Sequence, residues 1–525
     1  MAGSYLLWVF TLLPKSYFYN GLNQQSANVT YVTNHVKLLP HLRVIKLKQI
    51  KLLYMNIEQI YTGCLAQGAY YITSNGEAAI IDPLREVQPY LDRAEKDGVT
   101  IKYIFETHFH ADFVSGHLDL SKKTGAAIVF GPTAKPEFEC TVATDGQIFE
   151  LGNIKIKVLH TPGHTMESTT YLLQDEQGKD HAIFSGDTLF IGDVGRPDLA
   201  QKAAAMTQEQ LAATLFHSLR TKVMTLADDV IVYPAHGAGS ACGKNMSKET
   251  VSTIGEQKAN NYALRADMTE QEFVKEVTDG LLPPPGYFGM NVAMNKKGYE
   301  SFENVLNNGM RALNADAFEA AAEESAALIL DTRAAAEFYQ GFVPQSINIG
   351  LNGDFAPWVG AMIVDVNQPI LLVADSSKVE EAVTRLSRVG FDNIIGHLSG
   401  GFASWVESGK EFDTVNRITP ETFASQVKIG ESTVIDVRKE TEYAAEHVEE
   451  AYSKPLSAIN DWVKDINPEE HFFLHCAGGY RSMIAASILQ ARGYRNFTEV
   501  DGGFNAIAKT NVPKTNFVCQ SKVLK

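Results

Sequence analysis

Four apolar, strand-like runs each end in residues of the kind that hold metal ions. "IKYIFETHFHADF" delivers His108, His110 and Asp112, "IKIKVLHTPGH" delivers His160 and His164, "HAIFSGDTLF" delivers Asp187, and "DDVIVYPAHG" adds His236. Neutral imidazole is the commonest protein metal ligand. A lone histidine is usually a packing residue, but imidazoles and carboxylates recurring at successive strand ends are hard to explain as packing. Loops on a rigid sheet are where chemistry concentrates. Phe113 follows Asp112, and an apolar ring cannot ligate. Far downstream, "FFLHCAGGYRSMIAASILQ" runs as an apolar strand into Cys476, then Ala477, Gly478, Gly479, Tyr480, Arg481 and Ser482, and on into a helix. Glycines let such a loop curl until its backbone N–H groups converge. The helix N-terminus adds a positive dipole end. A sulfur at that focus is set up as a nucleophile, and Arg481 can hold an oxyanion. The residue types therefore point to two chemistries, a metal centre and a reactive thiol.

The elements that must position these groups are legible. "AYYITSNGEAAIIDP" places two apolar runs around Asn75-Gly76, a hairpin signal. "LREVQPYLDRAEKDGV" reads as a helix ending at Gly98. The second half repeats itself. "LILDTRAAAEF" matches "TVIDVRKETEY" at an offset of 105 residues (Asp331 to Asp436), and "LSGGFASW" matches "VDGGFNAI" at 102 (Gly401 to Gly503). Two motifs repeating in order at nearly one spacing indicate two copies of one domain, not a solenoid. Short apolar strands alternating with helices predict a parallel sheet in each copy. Pro283 to Pro285 read as a rigid connector out of the first domain.

Composition bounds the rest. The chain has 525 residues, room for about three domains. A formal net charge of −16 argues against a nucleic-acid partner, which needs a basic surface. Five scattered cysteines form no disulfide framework and suit a reducing cytoplasm. Cys64, Cys140 and Cys519 read as incidental. Residues 1–54 hold six Lys or Arg and no Asp or Glu. Their run "YLLWVFTLLP" is too short to span a bilayer, so no membrane partner is expected. They read as an extension outside the fold, which begins near Met55.

His-x-His-x-Asp, "TPGHT" and "GDTLF", in that order, resemble the metallo-β-lactamase superfamily over roughly residues 55 to 280. The resemblance implies an αββα sandwich, within an α/β fold class. Dinuclear hydrolases of that superfamily, such as glyoxalase II, continue with a histidine where this chain has Phe113, which leaves the second metal position without a ligand. The remaining set suits a two-histidine, one-carboxylate site, characteristic of non-haem iron(II) oxygenases. The persulfide dioxygenase branch (ETHE-type) is the nearer likeness, and Phe113 is a departure from it too, since its human-type members keep a histidine there. The likeness implies one Fe(II) per chain on His108, His164 and Asp187, with His110, Asp112 and His236 orienting those ligands. It also implies that Arg196 in "GRPDL" meets an anionic thiol. His117 reads as surface or structural.

The Cys476 loop resembles that of the rhodaneses, over about residues 415 to 515. In the middle copy Asp375 stands where Cys476 stands, and the loop is two residues shorter. That copy is expected to be inactive, a spacer or docking surface. The resulting division is 55–300 dioxygenase domain, 310–412 degenerate rhodanese-like domain and 415–525 active rhodanese domain. The order resembles persulfide dioxygenase–rhodanese fusions, which implies oxidation of a thiol persulfide by O2 to sulfite and thiol, and thiosulfate made or consumed through Cys476. Those relatives carry "HGAGSACGK" too, so Cys242 is a candidate sulfur relay. The resemblance also implies a cytoplasmic homo-oligomer, a dimer or tetramer. Two alternatives remain: a zinc thioester hydrolase of glyoxalase II type holding Zn(II), and a sulfur carrier without a working metal site.

Overall fold

The structure, a computed structural model, describes residues 55–281 and 283–519. The extension expected at 1–54 lies outside the described residues. The first half builds two six-stranded sheets. One runs in sequence order through β1 (Asn56–Thr62), β2 (Gln67–Ser74), β3 (Glu77–Ile81), β4 (Thr100–Glu106), β5 (Ala127–Phe130) and β6 (Thr141–Val142). The other runs β7 (Ile148–Leu151), β8 (Ile154–His160), β9 (Thr169–Gln174), β10 (Asp180–Gly186), β11 (Ile231–Pro234) and β12 (Ser252–Thr253).

Local sequence explains these elements. Strands β2 and β3 pair antiparallel with Ser74 opposite Glu77, so Asn75-Gly76 is a two-residue hairpin loop. Both residues take positive φ, 45° and 83°, as the favoured hairpin turns demand. The helix after β3 begins only at Gln88, because Pro89 belongs in a first turn, and it ends on left-handed Gly98.

The apolar pattern packs the sheets face to face. Tyr70, Ile72 and Phe105 of the first sheet share one core with Leu151, Ile156 and Phe184 of the second. The first sheet's outer face is covered by helices Gln88–Asp97 and His117–Thr124, through Tyr90, Ala94 and Leu120. The second sheet's is covered by Gln208–Ser218 and Glu270–Thr278, through Leu215 and Phe273. The result is an αββα sandwich.

The two repeats fold alike. The first orders its strands β13 (Ala312–Leu313), β17 (Ile394–Leu398), β16 (Ile370–Val373), β14 (Leu328–Asp331), β15 (Ile347–Asn348). The second orders β18 (Arg417–Ile418), β22 (Phe497–Val500), β21 (Phe472–His475), β19 (Thr433–Asp436), β20 (Tyr452–Ser453). Every pairing in both sheets is parallel. The matched motifs have matched jobs. Arg333 clasps Asp331 and the Gly341 carbonyl, while Arg438 clasps Asp436 and the Glu446 carbonyl.

Of the two roles expected for the middle repeat, spacer or docking surface, its contacts are those of a docking surface. Its helix Val379–Arg388 ends against the first domain, where the Arg388 carbonyl accepts from Val114 N–H at 2.7 Å and its guanidinium pairs with Glu86. Arg85 is fully buried and pairs with Asp392 at 2.9 Å. One apolar cluster runs from Phe113, Phe190 and Tyr287 through Phe355 and Leu372 to Leu474. The chain past Pro283–Pro285 also folds back on the first domain: Asn295 donates to the His110 and Phe113 carbonyls and accepts from Ser115 N–H.

Candidate metal centre and cysteine cleft

His108, His164 and Asp187 lie in the loops that follow β4 of the first sheet and β8 and β10 of the second, so both sheets deliver them to one edge of the sandwich. Asp187 Oδ2 lies 3.7 Å from His108 Nε2 and 3.4 Å from His164 Nε2. All three side chains are buried, and Asp187 Oδ2 has no hydrogen-bond donor. Such an orphaned carboxylate oxygen facing two imidazole nitrogens fits a cation. The outer nitrogens are already committed. His164 Nδ1–H donates to the Arg196 carbonyl at 2.8 Å. Thr107 donates its hydroxyl to Asp82, so its oxygen receives His108 Nδ1–H at 3.0 Å. Both Nε2 lone pairs therefore face inward, as ligand-orienting hydrogen bonds arrange. Gly195 is required here, since a Cβ would strike the Asp187 carbonyl and approach His164 Nδ1 to 2.9 Å.

Electrostatics agree with these roles. Burial, with His110 close by, lowers the His108 imidazole well below its usual range, which keeps it neutral. Burial would raise Asp187, but His236, His108 and His164 outweigh it and hold the carboxyl low. His236 Nδ1 bonds Asp187 Oδ1 at 2.7 Å and its Nε2 lies 2.9 Å from Asp112. Burial disfavours charge on that ring, yet the two carboxylates raise it well above the ordinary histidine range. His236 thus steadies the carboxylate oxygen that faces away from the two imidazoles.

His110, Asp112 and His236 also bring one ligand atom each to within 4.8 Å of one another. His110 Nε2 lies 3.1 Å from Asp82. Phe113 is buried with its ring centroid 4.3 Å from that of His110. Cys242 is buried within 4.8 Å of Asp187 and His236. Burial, then Asp112 and Asp187, push its thiol well up, which opposes the nucleophilic form a relay needs. Arg196 is buried and forked onto Asp198 at 2.7 Å, so its charge is shared before any substrate arrives. His117 is not on the surface. It is buried against Glu106 at 3.1 Å, and burial lowers it to about 3.

A cavity of about 330 Å³ opens beside His164, between Phe109, Leu199 and Val292, with Lys135 and Lys296 on its wall. The loop that floors the site depends on Asn295, which no motif flagged. Asn295→Ala leaves two carbonyls and one N–H of the buried loop without partners, and should destabilise the protein by about 2–4 kcal/mol. A shift in the denaturant midpoint at unchanged slope would show it.

Cys476 sits at the end of β21, where helix Tyr480–Ala491 begins. Its Sγ receives Gly479 N–H at 3.1 Å, and the Ser482 hydroxyl lies 3.4 Å away. Gly479 takes φ 98°, which aims that N–H inward. Beyond the motif, the second "GGF" grips the loop. Phe504 N–H donates to the Cys476 carbonyl, and a Cβ on Gly503 would collide with that same oxygen. Arg481 is paired with Glu442 at 2.6 and 2.9 Å. Gly478, Tyr480, Glu442 and Arg481 line a cleft of about 710 Å³ over the sulfur. The far wall, with Asn352, Asp354 and Trp358, belongs to the middle repeat.

The fold has counterparts among known proteins. The metallo-β-lactamase superfamily model matches residues 62–236, and the rhodanese-like domain model matches twice, at 314–408 and 419–510. Human "Persulfide dioxygenase ETHE1, mitochondrial" is 30% identical over 223 residues, 42% of this chain and 79% of that protein. The "Hydroxyacylglutathione hydrolase" of Brucella ovis is 34% identical over 188 residues, 35% of this chain and 66% of that protein. Among solved structures, a metallo-β-lactamase from Staphylococcus aureus is 32% identical with a TM-score of 0.57, covering 66% of this chain and 98% of that one. The chain belongs to the metallo-β-lactamase superfamily. Within it, the chain joins an ETHE1-type domain to two rhodanese-like domains. Among the described residues no helix is long and apolar enough to cross a membrane.

Proposed function

We propose that the chain is an iron(II) persulfide dioxygenase coupled to a sulfurtransferase. The observation that carries this reading is the His108, His164, Asp187 face, three inward donors with Phe113 in the place of a further ligand. The human relative's name points the same way. Iron(II), when bound, would activate dioxygen toward the persulfide. The outer sulfur itself gives up the electrons, and R–S–SH, O2 and one water yield R–SH, sulfite and two protons. The chain's own residues do the rest. His108 and His164 offer neutral nitrogens, and Asp187 offers one charge. His236 holds the outer oxygen of Asp187 so the inner one keeps its aim. Phe113, Phe190 and Tyr287 close the floor against water. The cavity beside His164 receives the thiol body, and its two lysines suit an anionic one.

Sulfite then meets sulfur carried on Cys476. Its sulfur lone pair attacks the outer atom of a Cys476 persulfide, the Cys476 S–S bond breaks, thiosulfate leaves, and the pair returns to Sγ under the Gly479 N–H. The middle repeat, with Asp375 in place of a cysteine, carries no sulfur.

A second reading, a zinc thioester hydrolase, is favoured by the Brucella relative and by the grouping of His110, Asp112 and His236. One experiment separates the two. The protein is purified without oxygen, its metal is measured, and oxygen uptake is recorded with glutathione persulfide, beside hydrolysis of S-lactoylglutathione. Near-stoichiometric iron with uptake is expected. Two zinc ions per chain with thioester hydrolysis and no uptake would establish the hydrolase instead.

A further inference from the structure

The middle repeat has no cysteine in its loop, yet it supplies one wall of the Cys476 cleft. That wall is fixed. Tyr480, the residue after Gly479, donates its hydroxyl to the Gly350 carbonyl at 2.7 Å. A Cβ on Gly353 would come within 2.5 Å of the Tyr480 ring. Arg385 holds the same segment through the Leu351 carbonyl at 2.9 Å. Asp354 lines the cleft beside Tyr480, whose hydroxyl is raised by burial and by the Asp354 charge against the opposing Arg385.

The two walls differ in sign. Lys439 and Arg481 line the active domain's side, with Glu442 forked onto Arg481 so that Lys439 carries that wall's net charge, and Asp354 lines the other. At about 710 Å³ the cleft falls among pockets that take whole organic ligands and exceeds what sulfite fills. A bare dianion is drawn by one wall and repelled by the other. A small thiol bearing both an ammonium and a carboxylate meets an opposite charge on each.

We propose that Asp354 is a specificity-determining residue of the cleft, selecting ammonium-bearing low-molecular-weight thiols over simple anions as sulfur acceptors. This assignment rests on Cys476 being the sulfur carrier. In the transfer, the acceptor thiolate attacks the outer sulfur of Cys476–S–SH. A new S–S bond forms from its lone pair, the Sγ–S bond breaks, and Cys476 leaves as thiolate while the proton stays on the transferred sulfur. No oxidant or reductant is consumed.

The test uses the full chain, loaded at Cys476 with sulfur from thiosulfate and checked by intact mass. Transfer rates are then measured to cysteine, to N-acetylcysteine, which keeps the carboxylate but lacks the ammonium, and to sulfite. In Asp354→Asn the cysteine to N-acetylcysteine ratio should fall roughly two- to five-fold, the range an exposed charge pair commands, and the sulfite rate should rise. The effect should shrink as salt is added. Asp354→Glu, which keeps the charge, should restore the ratio, and matching melting temperatures should show that both variants fold. An unchanged ratio in Asp354→Asn on a loaded chain overturns the assignment to Asp354 alone. A parent chain that takes no sulfur onto Cys476 from any donor overturns the carrier reading and the assignment together.

Discussion

Asp187→Ala is expected to strip the metal and lower persulfide-dependent oxygen uptake by more than about 100-fold, beyond what loss of an outer partner of a metal ligand causes. The carboxylate is the only anionic member of the inward set, and its two oxygens do different work. Oδ2 faces His108 and His164, and Oδ1 is held by His236. Removing it leaves two neutral imidazoles close together and a buried His236 facing only Asp112. Metal content read by elemental analysis should fall with the activity. Sulfur transfer through Cys476 should persist, since none of its groups touches this set. Uptake near the parent level in metal-replete Asp187→Ala would remove Asp187 from the centre.

Cys476→Ser gives the complementary result. Serine fits the same space and keeps the Gly479 N–H contact, but its oxygen cannot carry sulfane sulfur. Thiosulfate formation should drop at least about 1,000-fold, as when a covalent nucleophile is removed. Oxygen uptake should continue, and sulfite should accumulate in place of thiosulfate, which ion chromatography distinguishes. If uptake vanished as well, the two sites would not be independent catalysts joined by a diffusing product.

Much of this is legible in the sequence alone, and what is not has physical reasons. His108, His164 and Asp187 stand out because each follows an apolar strand, and the loops after β4, β8 and β10 of the two packed sheets meet at one edge. The repeat showed in "LILDTR" and "TVIDVR" because a buried Asp–Arg clasp leaves little freedom in sequence. Asn295 was hidden because it reaches the metal loop from about 180 residues downstream, and an asparagine in a helix carries no local signal. Arg196 was read for its charge. Its backbone carbonyl orients His164, and any residue could offer that group. Asp354 and Trp358 were invisible for another reason. They act on a cleft whose motif lies in a different domain, and only the packing of the two repeats brings them to it. The missing cysteine marks the middle copy as a spacer or docking surface, but it does not say which cleft that surface borders.

The apolar seam that joins the three domains has a consequence for how the chain is made. Phe113, Phe190 and Tyr287 are covered in part by the middle repeat, and Gly360 lies so close to Tyr287 that a side chain there would overlap the ring. A ribosome finishes the first domain before that cover exists. At about 5–20 residues per second, the roughly 100 residues of the middle repeat take about 5–20 s to follow. For that interval the nascent chain carries a nearly complete candidate metal centre with one flank bare, and the repeat without a cysteine serves as the piece that closes it.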